Sequence, residues 1–365
     1  MKFRNRIVSA LLSAAMITGA VLPSASLPVQ AADFASTMEA KYKNVSGKAD
    51  MKHRPYARWW LAEGSHTDQT LTESIEELYQ AGYGGVEFVT LTSEAEYLDD
   101  ATYGWGSPEW IHDSKLIIEE CQKRGMSVSM TGGTYWATAN LTTIKPDDKE
   151  ASQELGYTTV ELKGKQSYKG ELPKCKLPGA ADGQKNQKLV SVVAAKVASW
   201  GSGDTKTKID ANSLTVVSQD KITEANGTYS VDYTADASGD YILFAFYQYG
   251  TSEAYAAAST GKSYTINYFD PVGSNALIQY WDENVLTEDV MALVRQMEEC
   301  ALYMDSLELE TKGENSTKQL WCDDMLTQFS TRRGYDLTKY LPLLIRETPD
   351  GIPGMAKHLK YTFDN

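Results

Sequence analysis

Ala301-Leu302-Tyr303-Met304-Asp305-Ser306-Leu307-Glu308-Leu309-Glu310 is the stretch that decides how this chain is read. It is a short apolar run that ends in carboxylates. An amphipathic helix pattern precedes it, and a polar loop and a second helix pattern follow it. A strand of a (β/α)8 barrel that carries a catalytic acid at its C-terminal end has this form. An ordinary β-strand with charges at a solvated end has it too, so the surrounding chain must decide.

Working outward, Thr287-Glu288-Asp289 caps a helix with Val290, Leu293, Val294 and Met297 at i, i+3, i+4 and i+7. That helix delivers the expected strand, Ala301 to Leu307. Downstream, Thr317 to Arg333 is expected as a helix with Leu320, Trp321, Met325 and Phe329 on one face, ended by Gly334. Far upstream, Tyr56 to Leu61 reads as a strand. A helix with Leu71, Ile75 and Leu78 on one face follows, capped by Thr70 or Thr72. Gly84 to Thr90 is a second strand. Ser107-Pro108-Glu109 is an N-cap, a first-turn proline and a first-turn acid. The helix it opens leads to a third strand, Met126 to Thr131. This is β-α-β-α-β with short joins, the mark of a parallel sheet with helical crossovers.

Between about Pro146 and Lys262 the rhythm changes to alternating apolar runs broken by Gly, Ser, Thr and Lys clusters. It reads as an inserted antiparallel β module. The fold class expected is therefore α/β, a partial (β/α)8 barrel of about four βα units with that insertion. The expected organisation is a signal peptide over 1–31, a linker over 32–53, the first part of the barrel over 54–145, the β-rich insertion over 146–262 and a truncated continuation of the barrel over 263–365. A complete barrel needs eight strands, so the chain is read as a piece of a longer enzyme.

Lys2, Arg4 and Arg6 precede the apolar run Ile7 to Val21, and Val29-Gln30-Ala31 is an A-x-A-like cleavage site. This is the pattern of a secretory signal peptide, with export to the extracellular space or cell envelope and no stable membrane insertion. The formal net charge is −14, and losing three basic and no acidic residues with the signal takes it to −17. Such a surface argues against nucleic acid and anionic membrane as partners. The four cysteines, Cys121, Cys175, Cys300 and Cys322, are too scattered for a disulfide scaffold. The histidines His53, His66, His112 and His358 form no H-E-x-x-H pair, and no G-x-S-x-G, P-loop or G-x-G-x-x-G string occurs.

The barrel rule selects the candidate site without any motif: active sites lie at the C-terminal ends of the strands. The first strand points Trp60 and Glu63 there, the second Glu87, the third Thr131 with Tyr135 and Trp136, and the fourth Asp305 and Glu308. Trp105 lies in the loop after the second strand. Carboxylates interleaved with aromatics suit a sugar, whose C–H faces stack on rings and whose hydroxyls pair with acids. Alternation puts Asp305 on one face of the fourth strand and Glu308 on the other, so both remain candidates.

The strings RPYARWWL (Arg54–Leu61), AGYGGVEF (Ala81–Phe88), GWGSPEW (Gly104–Trp110), MDSLEL (Met304–Leu309) and FSTRRGYDLTKYLPLL (Phe329–Leu344) together resemble glycoside hydrolase family 106, the α-L-rhamnosidase-like enzymes. They match the N-terminal half of its catalytic barrel. At the third-strand loop the family's Asn-Gly-x-Gly-Trp run is replaced by Thr131-Gly132-Gly133-Thr134-Tyr135-Trp136. The resemblance implies a secreted, inverting hydrolase that removes terminal α-L-rhamnosyl or related deoxysugar residues from oligo- or polysaccharides. It makes Glu308 the general acid with Asp305 beside it, Glu87 a substrate or calcium ligand, and calcium the associated ion. The catalytic base is expected past Asn365, so this piece alone is expected to be inactive. Two other readings stand beside it: a noncatalytic glycan-binding or degenerate barrel, and another barrel glycosidase of the β-galactosidase-like kind.

Overall fold

The computed structural model describes residues 34–40, 51–61, 66–90, 100–132, 140–164, 166–203, 205–256, 262–304 and 309–349. The signal-peptide segment, Glu63, Tyr135, Trp136, Asp305 and Glu308 lie outside these residues.

Four parallel strands form the first layer: Tyr56–Leu61, Gly85–Thr90, Ser127–Thr131 and Cys300–Tyr303, neighbours in chain order. Of the expected fourth strand, the structure assigns Cys300–Tyr303. The first and fourth strands each pair on one side only among the described residues. One face of the sheet is apolar, with Val86, Phe88, Val128 and Met130 buried against Leu71 and Ile75 of the helix Asp68–Gln80 and Ile117, Ile118 and Cys121 of the helix Pro108–Lys123. Both helices start where short polar residues can replace the missing backbone acceptors. Ser107 accepts from the Trp110 N–H, with Pro108 at the first helical position as expected. The first helix is capped by Thr67, in a capping box with Thr70, one turn earlier than the sequence pattern suggested.

The sheet is curled into a half-barrel. Arg58 stands on the first strand and Tyr303 on the fourth, yet the Arg58 guanidinium lies 4.6 Å from the centre of the Tyr303 ring. In a flat sheet three strand spacings would set their backbones roughly 14 Å apart. The two side chains meet because the strands between them bend the surface inward.

The β module is inserted after the third strand. Its entry and exit meet, because Asn140–Leu141 pairs with Lys262–Thr265, which pairs in turn with Ala254–Ala256. The central strand Tyr241–Gly250 lies between Gln153–Leu162 and Lys188–Ser199. Its alternation sends Ile242, Phe244 and Phe246 to one core and Tyr241, Leu243, Ala245, Tyr247 and Tyr249 to another. A second sheet of Ile222–Ala225, Thr228–Thr234 and Ser167–Glu171 contributes Val231 to the latter core. Tyr247 and Tyr249 are core residues at 1% exposure.

The expected helix Thr317 to Arg333 is corrected. Ser316–Trp321 is a strand, antiparallel to Gln153–Leu162, and only Met325–Arg333 is helical. Trp321, Phe329, Leu337, Leu341 and Leu343 complete the core on the Phe244 side. Gly334 ends the helix with a left-handed φ of 77°, a conformation that disfavours side chains. All four cysteines are free thiols, and Cys121, Cys175 and Cys322 are buried. No described helix is long and apolar enough to cross a membrane.

Candidate active site on the concave face of the parallel sheet

The concave face is the side that the flanking helices leave uncovered. Strand register aligns Arg58, Glu87, Ser129 and Ala301 in one rung, and Thr131 with Tyr303 in another. Period-two alternation adds Trp60, Val89 and Ser127 to the same face. Its composition differs sharply from that of the helix-facing side. Ser127, Ser129 and Thr131 are small hydroxyl residues, all over nine-tenths buried, where a packed barrel interior would hold branched aliphatics. Their hydroxyls give the middle of this face a polar character.

Arg58 Nε lies 2.8 Å from Glu87 Oε1, with the arginine half-exposed and the glutamate mostly covered. After solvent screening such a pair contributes about 1 kcal/mol or less. It therefore orients the two groups more than it holds the fold. The same guanidinium packs on Tyr303, so Arg58 links Glu87 to the strand that leads toward Asp305. Trp60 is 58% exposed, a large apolar surface kept in solvent beside this charge pair. Tyr56, at the lower end of the face, is buried enough to push its phenol up, and it hydrogen-bonds Ser127 and Glu299.

Trp105 is placed differently from the exposed loop residue expected. It is 7% exposed, stacks on Tyr280 at 5.0 Å and meets Trp281 edge-on at 5.5 Å. The Tyr280 hydroxyl donates to the Trp105 carbonyl. This indole joins the loop before the second helix to the helix Pro271–Tyr280. Of the nine sequence candidates the structure thus brings Trp60, Glu87 and Thr131 to one face, sets Trp105 in the core, and leaves Glu63, Tyr135, Trp136, Asp305 and Glu308 outside the described residues.

Sequence reasoning missed two acids. Glu154 and Glu253, 0% and 2% exposed, belong to the β module but reach the segment that follows Glu308. Glu154 Oε1 accepts from the N–H groups of Gly313 at 2.8 Å and Lys312 at 3.1 Å, and Glu253 Oε2 from that of Glu310 at 3.2 Å. Burial pushes the Glu154 carboxyl up, and the backbone N–H groups pull the other way. Charge-assisted bonds of this kind fix a loop firmly. The signal available in the sequence was an acid inside an apolar strand, Gln153-Glu154-Leu155.

No protein-family model matches the chain, and no curated protein matches its sequence. A structural match is the rhamnosidase from Novosphingobium sp. PP1Y, at 14% identity and a TM-score of 0.54. The match covers 83% of this chain and 42% of that one, so the chain spans less than half of the solved enzyme. At that identity the likeness is one of fold.

Proposed function

We propose that this chain is the N-terminal part of the catalytic (β/α)8 barrel of a secreted, inverting glycoside hydrolase of family 106, acting on terminal α-L-rhamnosyl or related deoxysugar residues. The observation that carries the reading is the curl that brings Arg58 onto Tyr303, on a face that carries hydroxyls, a carboxylate and an exposed indole. The fold likeness to a rhamnosidase and the strings that resemble the family support it. In this reading Trp60 supplies an apolar platform for the sugar's C–H face, and Glu87, oriented by Arg58, accepts a sugar hydroxyl. Glu308 protonates the glycosidic oxygen as the bond to the anomeric carbon breaks. A carboxylate supplied by a later strand activates the water, about 6.5–9.5 Å from the acid. Asp305 is the alternative acid on the same stretch.

The resemblance also implies calcium. Calcium takes about six to eight oxygen ligands. Among the described residues the concave face presents two carboxylates, Glu87, already paired with Arg58, and Glu299, at the lower end beside Tyr56, so this set does not fit the ion and no step is routed through it. A second reading is a barrel that binds glycans without cleaving them.

The test is hydrolysis of an aryl α-L-rhamnoside by the full-length gene product. Glu308→Gln is expected to lower kcat by about 10²–10⁴-fold, the usual worth of a general acid, with unfolding unchanged. Turnover within a few-fold of wild type would sink the assignment and pass it to Asp305. Glycan binding with no hydrolysis of any aryl glycoside would establish the second reading. Export is checked by sequencing the mature N-terminus, expected at Ala32.

A further inference from the structure

We propose that His66, Asp68, His112 and Asp113 form a binding site for a divalent transition-metal ion, of which zinc is the fitting case, on the helical side of the half-barrel. Two elements contribute two ligands each. His66 closes the loop after the first strand, and Asp68 opens the helix that follows. His112 and Asp113 sit in the second turn of the helix Pro108–Lys123. The pairing is reciprocal. His66 Nε2 lies 2.6 Å from Asp113 Oδ2, and His112 Nε2 lies 2.9 Å from Asp68 Oδ1. The ligand atoms of Asp68, His112 and Asp113 all lie within 4.8 Å of one another. Only four histidines occur in the chain, and two of them converge here from different elements.

Two imidazole nitrogens and two carboxylate oxygens are a donor set for zinc or its first-row neighbours, whereas calcium and magnesium select oxygen alone. Bonds of about 2.0–2.1 Å in a tetrahedron require ligand atoms about 3.4 Å apart. The two close pairs must open by less than 1 Å, roughly, and the ligand atoms of Asp68, His112 and Asp113, within 4.8 Å of one another, must close by at most about 1.4 Å, while His66 joins through its contact with Asp113. Side-chain rotation supplies that movement for Asp68 and His112, which are 65% and 53% exposed. His66 and Asp113 are 13% exposed each, so the inner half of the site is held and the outer half is open to an arriving ion. Metal takes the Nε2 lone pair in place of the hydrogen bond to the carboxylate: a neutral imidazole carries its one proton on Nδ1, and an imidazolium first gives one proton to solvent. The ion clamps the start of one helix to the second turn of its neighbour, apart from any sugar chemistry.

The test is titration of the tag-free, chelator-treated, full-length protein with ZnCl2 by calorimetry, with thermal unfolding recorded in parallel. One zinc per chain with a micromolar or tighter Kd and a raised Tm is expected, with CaCl2 giving neither. His112→Gln and Asp68→Asn, both at exposed positions, should each weaken zinc at least tenfold, while His53→Gln leaves it unchanged. His66→Gln tests the inner half by the same readout. A wild-type Kd above about 100 µM, or affinity unchanged in both His112→Gln and Asp68→Asn, overturns the site and leaves two His–Asp hydrogen bonds bracing the helices.

Discussion

Single side chains in this protein are constrained where backbone and ring compete for the same space. Tyr249 lies between Gly156 and Gly313, and a methyl group built on Gly156 would come within 2.3 Å of its ring. Gly156→Ala is therefore expected to destabilise by about 1–3 kcal/mol, the range for overpacking, measured by urea unfolding. Glu154 makes a second prediction. Its folded pKa is raised by burial, so in the window just above its ordinary value the folded state holds a proton that the unfolded state has lost. Stability from this group is present below that window and declines as pH rises through it. Glu154→Gln should flatten this part of the stability–pH curve while keeping one acceptor for the Gly313 N–H. Glu154→Ala strands two backbone donors and should cost about 1–3 kcal/mol. An identical pH slope in Glu154→Gln and wild type would show that another acid governs the region.

Elements were legible in the sequence where their causes are local. Ser107-Pro108-Glu109 announces a helix start, and period-two burial of Val86 and Phe88 announces a strand, because capping and alternation act over a few residues. Ser316–Trp321 was not legible. Its Leu320 and Trp321 join Met325 and Phe329 in a helix-like spacing, but its partner strand begins at Gln153, far back in the chain. A ladder formed at that sequence distance leaves no local trace. The candidate site divides the same way: Glu87 was readable as an acid on the second strand, whereas Glu154 needed the fold to bring it to Gly313. The curl is an element-scale property with its own measurement. A double-mutant cycle on Arg58→Met and Tyr303→Leu should return a coupling of about 0.5–1 kcal/mol. A coupling near zero would show that the two side chains do not meet in solution.

At the scale of the molecule, the half-barrel and the β module share one chain three times over. The chain enters the module after the third strand, returns for the helices and the fourth strand, and enters the module's sheet again at Ser316. The module therefore cannot be removed cleanly, although its ends meet at Asn140–Leu141 and Lys262–Thr265. Joining the chain across residues 146–262 should leave Trp321, Phe329, Leu337 and Leu341 without the core they complete. Strong binding of a hydrophobic dye, with loss of the native tryptophan emission, is the expected outcome. A soluble, dye-silent product would mean that the C-terminal segment packs elsewhere. The module thereby links strand Cys300–Tyr303 to Glu154 and Glu253, which hold the segment beyond it.

The two edges of the parallel sheet, each paired on one side only among the described residues, matter most during biosynthesis. The fourth strand presents Leu302, with Met304 just beyond it, at about half exposure along an edge that pairs on one side only among the described residues. Such an edge accepts any passing strand, its own kind included. A nascent chain at this stage is a client for holdase chaperones, and crowding on a polysome favours edge-to-edge pairing between neighbours. Translation speed past the fourth strand thus becomes a determinant of yield, separate from the stability of the finished protein.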